Sequence, residues 1–264
     1  MLTRTDILSK VFDVDEKSFR NVAIELFNYQ FQNNAVYHEY CSLLHTDPFR
    51  ITSIDQIPFL PVEFFKTHRV VTGTVPEKIV FSSSGTTGEQ TSRHYVSDLL
   101  LYEASFLNCF QHFFGNPENY CILALLPSYL ERAGSSLVYM VEKLIEKSGH
   151  PKNGFFLYNH DALYKLLTHL EAVKQPALLI GVTFALLDFA ETYPLSLKYT
   201  KVMETGGMKG RREEITRDAL HQKLRNAFSV NSIYSEYGMT ELLSQAYLME
   251  DGKFHAPIWM KVLM

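Results

Sequence analysis

Two segments of the chain combine residue types whose spacing points to chemistry: Ser82-Ser83-Ser84-Gly85-Thr86-Thr87-Gly88 and Tyr234-Ser235-Glu236-Tyr237-Gly238-Met239-Thr240-Glu241. In the first, Gly85 and Gly88 let the backbone turn with few steric limits, so successive N–H groups can converge on one anion. The hydroxyls of Ser82, Ser83, Ser84, Thr86 and Thr87 add further donors. In the second, the carboxylate of Glu241 follows the hydroxyl of Thr240, an oxygen pair of the kind Mg²⁺ accepts while keeping several of its waters. Together they make ATP with Mg²⁺ the expected ligand. Each alone has a plainer reading: a Ser/Thr-rich hairpin, and a buried tyrosine before a helix cap with a first-turn acid.

The elements that must position these segments follow from hydrophobic spacing. Phe19, Val22, Ala23, Leu26, Phe27 and Phe31 fall at helical intervals over 16–31, and Val36, Tyr37, Tyr40, Cys41 and Leu44 repeat the pattern over 35–44. Ile57-Pro58-Phe59-Leu60-Pro61 then disfavours a regular helix and predicts an extended connector docked on the core. From Lys78 onward, apolar strand candidates at 78–81, 120–126, 155–158, 177–180, 199–203 and 232–234 alternate with helix candidates at 97–114, 134–147, 160–173, 184–193 and 211–228. That alternation predicts an α/β fold with a mostly parallel sheet covered by helices on both faces. In such sheets ligands gather outside the carboxyl ends of the strands. Ser82–Gly88, Pro127-Ser128-Tyr129, Gly181-Val182-Thr183, Glu204-Thr205-Gly206-Gly207 and Glu236-Tyr237-Gly238 are all expected there.

Composition excludes several function classes. Apolar residues make up 46% of the 264 residues and the formal net charge is −4, which suits a packed globular protein and gives no basic bias for nucleic acid. Lys209-Gly210-Arg211-Arg212 is the nearest approach to a basic run and is too short to be a nucleic-acid footprint. Cys41, Cys109 and Cys121 have no CxxC spacing, no apolar run is long enough to span a membrane, and the first residues do not read as a signal peptide. A cytoplasmic protein is expected. Neither GxSxG nor HExxH occurs, and the stretch after Gly85 lacks the second glycine and the Lys-Ser/Thr pair of a P-loop.

The two motifs, in this order, resemble those of the adenylate-forming superfamily of acyl-CoA synthetases, adenylation domains and luciferases. The runs Ile57–Lys66 and Leu126–Leu137 look like those of the acyl-protein synthetase branch of bacterial luminescence systems, with kinship to phenylacetate-CoA ligases. The resemblance implies ATP-dependent activation of a carboxylic acid, fatty or aryl, as an acyl-adenylate, followed by transfer to a thiol of coenzyme A, a carrier protein or a reductase partner. It further implies that Ser83, Ser84, Gly85, Thr86, Thr87 and Gly88 fold over the β- and γ-phosphates, and that Gly206 and Gly207 flank the adenine. Tyr237 with Gly238 would take the base, Thr240 the α-phosphate and Glu241 the Mg²⁺, which makes Thr240 and Glu241 the catalytic pair. The alternative is a catalytically silent nucleotide- or acyl-binding module on the same fold. Many members carry a lysine shortly after the glycine-rich loop, whereas here Glu89-Gln90-Thr91-Ser92-Arg93-His94 follows, leaving Arg93 to supply charge. Residues 1–75 are expected to form a helical segment and connector packed on an adenylation core of 76–264. The last residues, Ile258–Met264, read as a strand, and the resemblance places the ribose-binding strand, the lid domain and the accepting cysteine beyond them, as in the large core of a longer enzyme.

Overall fold

The computed structural model describes residues 4–83, 90–127, 134–206, 213 and 215–263. They fall into two compact units, one of Met1–Ser105, Met239–Ser244 and Ala256–Met264, the other of Phe106–Gly238 and Gln245–His255.

The first unit begins with three helices, α1 (Arg4–Val11), α2 (Phe19–Asn33) and α3 (Ala35–Leu43). Asn34 separates the last two because its extended backbone breaks the helix while its side chain accepts the Tyr37 N–H at 3.1 Å and starts the next one. Phe27, Tyr37, Cys41 and Ile57 bury one another, and Ala23, Phe31 and Leu60 pack around them. The proline-bordered connector is extended as expected and docked through its carbonyls: the Tyr37 hydroxyl donates to Pro58 O at 2.8 Å and the Tyr40 hydroxyl to Phe59 O at 3.2 Å. Connector and helices therefore share one core. A short α4 (Phe64–Thr67) leads to an antiparallel hairpin of β1 (Ile79–Ser82) and β2 (Arg93–Val96), whose register pairs Ser82 with Arg93. Helix α5 (Leu99–Phe114) starts in this unit and ends in the other.

The second unit is built on one sheet. Its elements are β3 (Cys121–Leu125), α6 (Ser136–Ser148), β4 (Gly154–Phe155), α7 (His160–Ala172), β5 (Ala177–Gly181), α8 (Thr183–Thr192), β6 (Thr200–Glu204), α9 (Arg217–Phe228), β7 (Tyr234–Tyr237), β8 (Ala246–Leu248) and β9 (Phe254–His255). The strand order is β4-β3-β5-β6-β7-β8-β9, parallel from β4 to β7 and antiparallel for the last two pairings. Every residue of β3 and β5 is buried, which a strand achieves only when both sheet faces are covered. The helices start where side chains meet their first free amides: Ser135 accepts from Val138 N, Asn159 from Ala162 N and Thr216 from Ala219 N. The class is α/β, a mixed and mostly parallel sheet with helical crossovers. Among the described residues no helix is long and apolar enough to cross a membrane.

Three local expectations are revised. The strand expected at 232–234 runs from Tyr234 to Tyr237, so Glu236 and Tyr237 are strand residues rather than a turn, held by pairing with Tyr247 and Ala246 of β8. The strand expected at 155–158 shrinks to Gly154–Phe155 at the sheet edge. Residues 258–263 form no strand; Trp259 instead packs its ring edge-on to Phe12 at 5.1 Å and donates its indole N–H to Ser244 Oγ at 3.1 Å. Strands β2, β8 and β9 are too short for hydrophobic alternation to mark them.

Gly181 ends β5 where a side chain would have no room, since a Cβ there would stand 2.8 Å from Leu125 Cβ and 3.1 Å from Leu186 Cγ. Gly181→Ala is expected to lower stability by about 1–3 kcal/mol, the usual cost of overfilling a packed core, read as a shift of the denaturant midpoint with unchanged slope.

Candidate active site

In the first unit, the hairpin β1–β2 closes immediately before residues 84–89. The Ser83 N–H donates to Ser92 O at 3.1 Å and the Ser92 N–H donates to Ser83 Oγ at 2.9 Å, so Ser83 forms one side of a latched base. Ser84, Gly85, Thr86, Thr87 and Gly88 lie outside the described residues, as does Gly207. On the return strand, His94 meets the second motif: its Nδ1 lies 3.0 Å from the carbonyl oxygen of Thr240. Burial lowers the His94 pKa below its ordinary value, while the Thr240 carbonyl and the negative charge of Glu241 oppose that shift. A mostly neutral imidazole with Nδ1–H donating to the carbonyl fits both observations. Thr240 and Glu241 occupy a tight turn, in which the Leu242 N–H donates to Met239 O at 3.1 Å, and both residues are half-buried. The strand leaving the glycine-rich segment and the Thr240–Glu241 turn thus touch within one unit.

The turn also opens onto a cavity. Leu242, Leu243 and Ser244, directly after Glu241, line a space of about 890 Å³ together with Ile7, Phe27, Ile57, Leu60, His94 and Trp259. Its walls come from α1, α2, the connector, β2 and the stretch around Trp259, all within the first unit.

In the second unit, the carboxyl ends of β6 and β7 carry two buried acids. Glu204 is 4% exposed and well supplied with donors: Gly206 N–H at 2.6 Å and Thr183 Oγ1 at 3.3 Å reach its Oε2, and His221 Nε2 lies 3.6 Å from its Oε1. Ser235 Oγ is 3.2 Å from the same His221 nitrogen. Burial pushes the Glu204 carboxyl up, but the bonds from His221, Ser235 and Gly206 outweigh it, so the net shift is downward and the group is charged. At Glu236, one strand away, burial dominates and, with the charge of Glu204 added, raises the carboxyl to about 8. Tyr237 ends β7 with 44% of its surface exposed, and its ring lies 6.2 Å from that of Phe254, over which Arg217 stacks at 4.8 Å. Gly206 follows the end of β6 and Tyr237 ends the adjacent parallel β7, while a Cβ on Gly238 would stand 2.4 Å from Glu236 Oε1, so that a side chain there would force the carboxyl to shift.

The sequence-expected residues divide accordingly: Ser83, Thr240 and Glu241 in the first unit, Gly206, Tyr237 and Gly238 in the second. Sequence pattern alone assigns no role to His94, Glu204, His221 or Glu236. A lone histidine in a strand carries no spacing signal, and a strand-end glutamate is indistinguishable from a surface acid until its neighbours are known.

The profile of the family "Acyl-protein synthetase, LuxE" matches residues 2–99. A long-chain-fatty-acid–luciferin-component ligase of Photorhabdus luminescens is 32% identical over 89 residues, which are 33% of this chain and 76% of that protein. The chain belongs to the acyl-protein synthetase family. It is an enzyme of the ligase class by that membership. A mutant form of coronafacic acid ligase from Pectobacterium brasiliense is a further similar structure, with 16% identity and a TM-score of 0.40 over 60% of this chain and 28% of the other. The matched residues 2–99 of the acyl-protein synthetase profile take in α1 to α4, the connector and the β1–β2 hairpin.

Gly238→Ala in this acyl-protein synthetase homologue is expected to displace the Glu236 carboxyl from its pocket and cost about 1–3 kcal/mol. Thermal unfolding of the variant beside the parent protein checks this, and an unchanged transition would mean that Glu236 yields without cost.

Proposed function

We propose that the chain activates a long-chain carboxylic acid with ATP and passes the acyl group to a thiol. In the first step a carboxylate oxygen bonds to the α-phosphorus and the bond to the β-phosphate bridge breaks, giving acyl-adenylate and pyrophosphate. In the second, thiolate sulfur bonds to the acyl carbon, AMP leaves and the thiol proton passes to solvent. Both partners of the first step are anions, so the work of the site is neutralisation and alignment rather than proton abstraction.

The observation that carries this reading is the bond between His94 and the Thr240 carbonyl, which joins the hairpin holding the glycine-rich segment to the Thr240–Glu241 turn. Latched at Ser83 and Ser92, that hairpin would present Ser83, Ser84, Gly85, Thr86, Thr87 and Gly88 to the β- and γ-phosphates. Thr240 would contact the α-phosphate. The carboxylate of Glu241 beside the Thr240 hydroxyl is an all-oxygen donor set that suits Mg²⁺, and the ion would supply charge neutralisation for the triphosphate. Gly206, Gly207, Tyr237 and Gly238 are assigned to the base, with the exposed ring of Tyr237 as a stacking face.

The cavity supports the choice of acid. A volume of about 890 Å³ lined by Ile7, Phe27, Ile57, Leu60 and Leu242 lies within the range of ligand sites and takes a long hydrocarbon rather than a small polar acid. Leu242 follows Glu241 directly, so an acyl chain held there would bring its carboxylate toward the Thr240–Glu241 turn. The related Photorhabdus ligase is named for a long-chain fatty acid, and the same substrate class is assigned here. The thiol is that of coenzyme A, a carrier protein or a partner reductase.

Pyrophosphate release by the full protein with ATP, Mg²⁺ and a chain-length series of fatty acids tests the reading. Release is expected to rise with chain length, and Glu241→Gln is expected to lower it by about 10²- to 10³-fold, the cost of removing one charge-stabilising group from such a site. ATP binding without pyrophosphate from any acid would leave a silent binding module instead. A narrower prediction concerns the hairpin: His94→Leu removes the donor to Thr240 O and is expected to cost about 1 kcal/mol, raising the ATP requirement more than it lowers the maximal rate.

A further inference from the structure

Glu236 and Gln245 form an incomplete polar pair inside the second unit. Glu236 sits opposite Tyr247 in the β7–β8 ladder, so Gln245, two residues earlier on the partner chain, is its diagonal neighbour on the same sheet face. Gln245 is 2% exposed, and its Oε1 has no hydrogen-bond partner among the described residues. Glu236 is buried as well, at 9% exposed. Both groups border one spot: the position of a Cβ on Gly238 lies 2.4 Å from Glu236 Oε1 and 3.8 Å from Gln245 Cγ. A buried acceptor without a donor is costly, and a neutral carboxyl beside it removes the deficit, because it has an O–H to give.

We propose that Glu236 is a positioning residue that remains protonated and donates its O–H to Gln245 Oε1, fixing the β7–β8 corner at Tyr237 and Gly238 in the shape that receives the base. The role in nucleotide binding rests on the assignment of Tyr237 given above; the protonated bond does not.

The charged and titratable surroundings agree. Glu204 on β6 is the facing charge, anchored by Gly206, Thr183, Ser235 and His221 of α9. Cys109 of α5 faces Glu236 from another side, and burial together with that carboxyl pushes its thiol up to about 12, so it stays neutral. Burial foremost, and the Glu204 charge second, carries Glu236 from 4.5 to about 8. The folded protein therefore holds this proton more tightly than the unfolded chain. Its contribution is complete below 4.5 and is lost as the pH climbs through about 8. Ionisation would both remove the donor to Gln245 and place a second negative charge beside Glu204.

Infrared difference spectroscopy of the full chain, titrated through about 8, tests the bond. A protonated carboxyl band that disappears on titration is expected for the parent, should be missing in Glu236→Gln, and should move to higher frequency in Gln245→Leu as its hydrogen bond is lost. Calorimetric binding of Mg²⁺-ATP should weaken by roughly tenfold above that pH in the parent and remain level in Glu236→Gln, whose amide also carries a donor. No carboxyl band assignable to Glu236, or the same alkaline loss in Glu236→Gln, would overturn the proposal. A band with the predicted behaviour in a protein that binds no ATP would support the protonated bond while refuting the nucleotide reading.

Discussion

Two carboxyl groups at the ends of neighbouring parallel strands, both out of water, cannot both be charged unless each has its own donors. That constraint organises the second unit. Glu204 takes the available donors: a backbone N–H from the turn after its own strand, a hydroxyl from the start of α8, and the imidazole of α9. These bonds tie three elements to the end of β6. At Glu236 burial prevails and raises the carboxyl to about 8. The backbone beside it is shaped accordingly, since Gly238 has no side chain where the carboxyl lies. A stretch of sequence that reads as a turn is in fact the end of a strand, paired with β8.

The first unit solves a different problem. There, the described residues on either side of 84–89 are tied down. The Ser83–Ser92 latch closes the hairpin and His94 ties the returning strand to the Thr240 carbonyl. Residues from both ends of the chain, around Ile7 and around Trp259, contribute walls to the cavity that opens beside this turn. The family-profile match over residues 2–99 covers much of this unit, so the part of the chain most like known acyl-protein synthetases also contains the hairpin and much of the cavity lining.

What could be read without coordinates was governed by local pattern. The continuous apolar runs of β3 and β5 and the helical spacing of α2, α3, α6, α7 and α9 specify an α/β sheet, because burial on two faces and burial on one stripe leave different periodicities. The prolines around Phe59 marked the connector for the same local reason. Short edge strands escaped. β8 and β9 have three and two residues, too few for any period; β8 pairs along β7 and β9 along β8.

By itself, the sequence determined the order of the main elements and raised the expectation that two segments hold an anion and a metal ion, since residue type fixes what a side chain can donate, accept or coordinate. It also carried the family likeness in the glycine-rich and Thr240–Glu241 motifs. Only the tertiary structure decided that His94 joins those motifs, that hydrogen bonds lower Glu204 while burial raises Glu236, and that residues near Ile7 and Trp259 line one cavity. The reason is the same in each case. Hydrogen bonding, burial and enclosure depend on neighbours tens to hundreds of residues away, and one-dimensional spacing contains no distance between them.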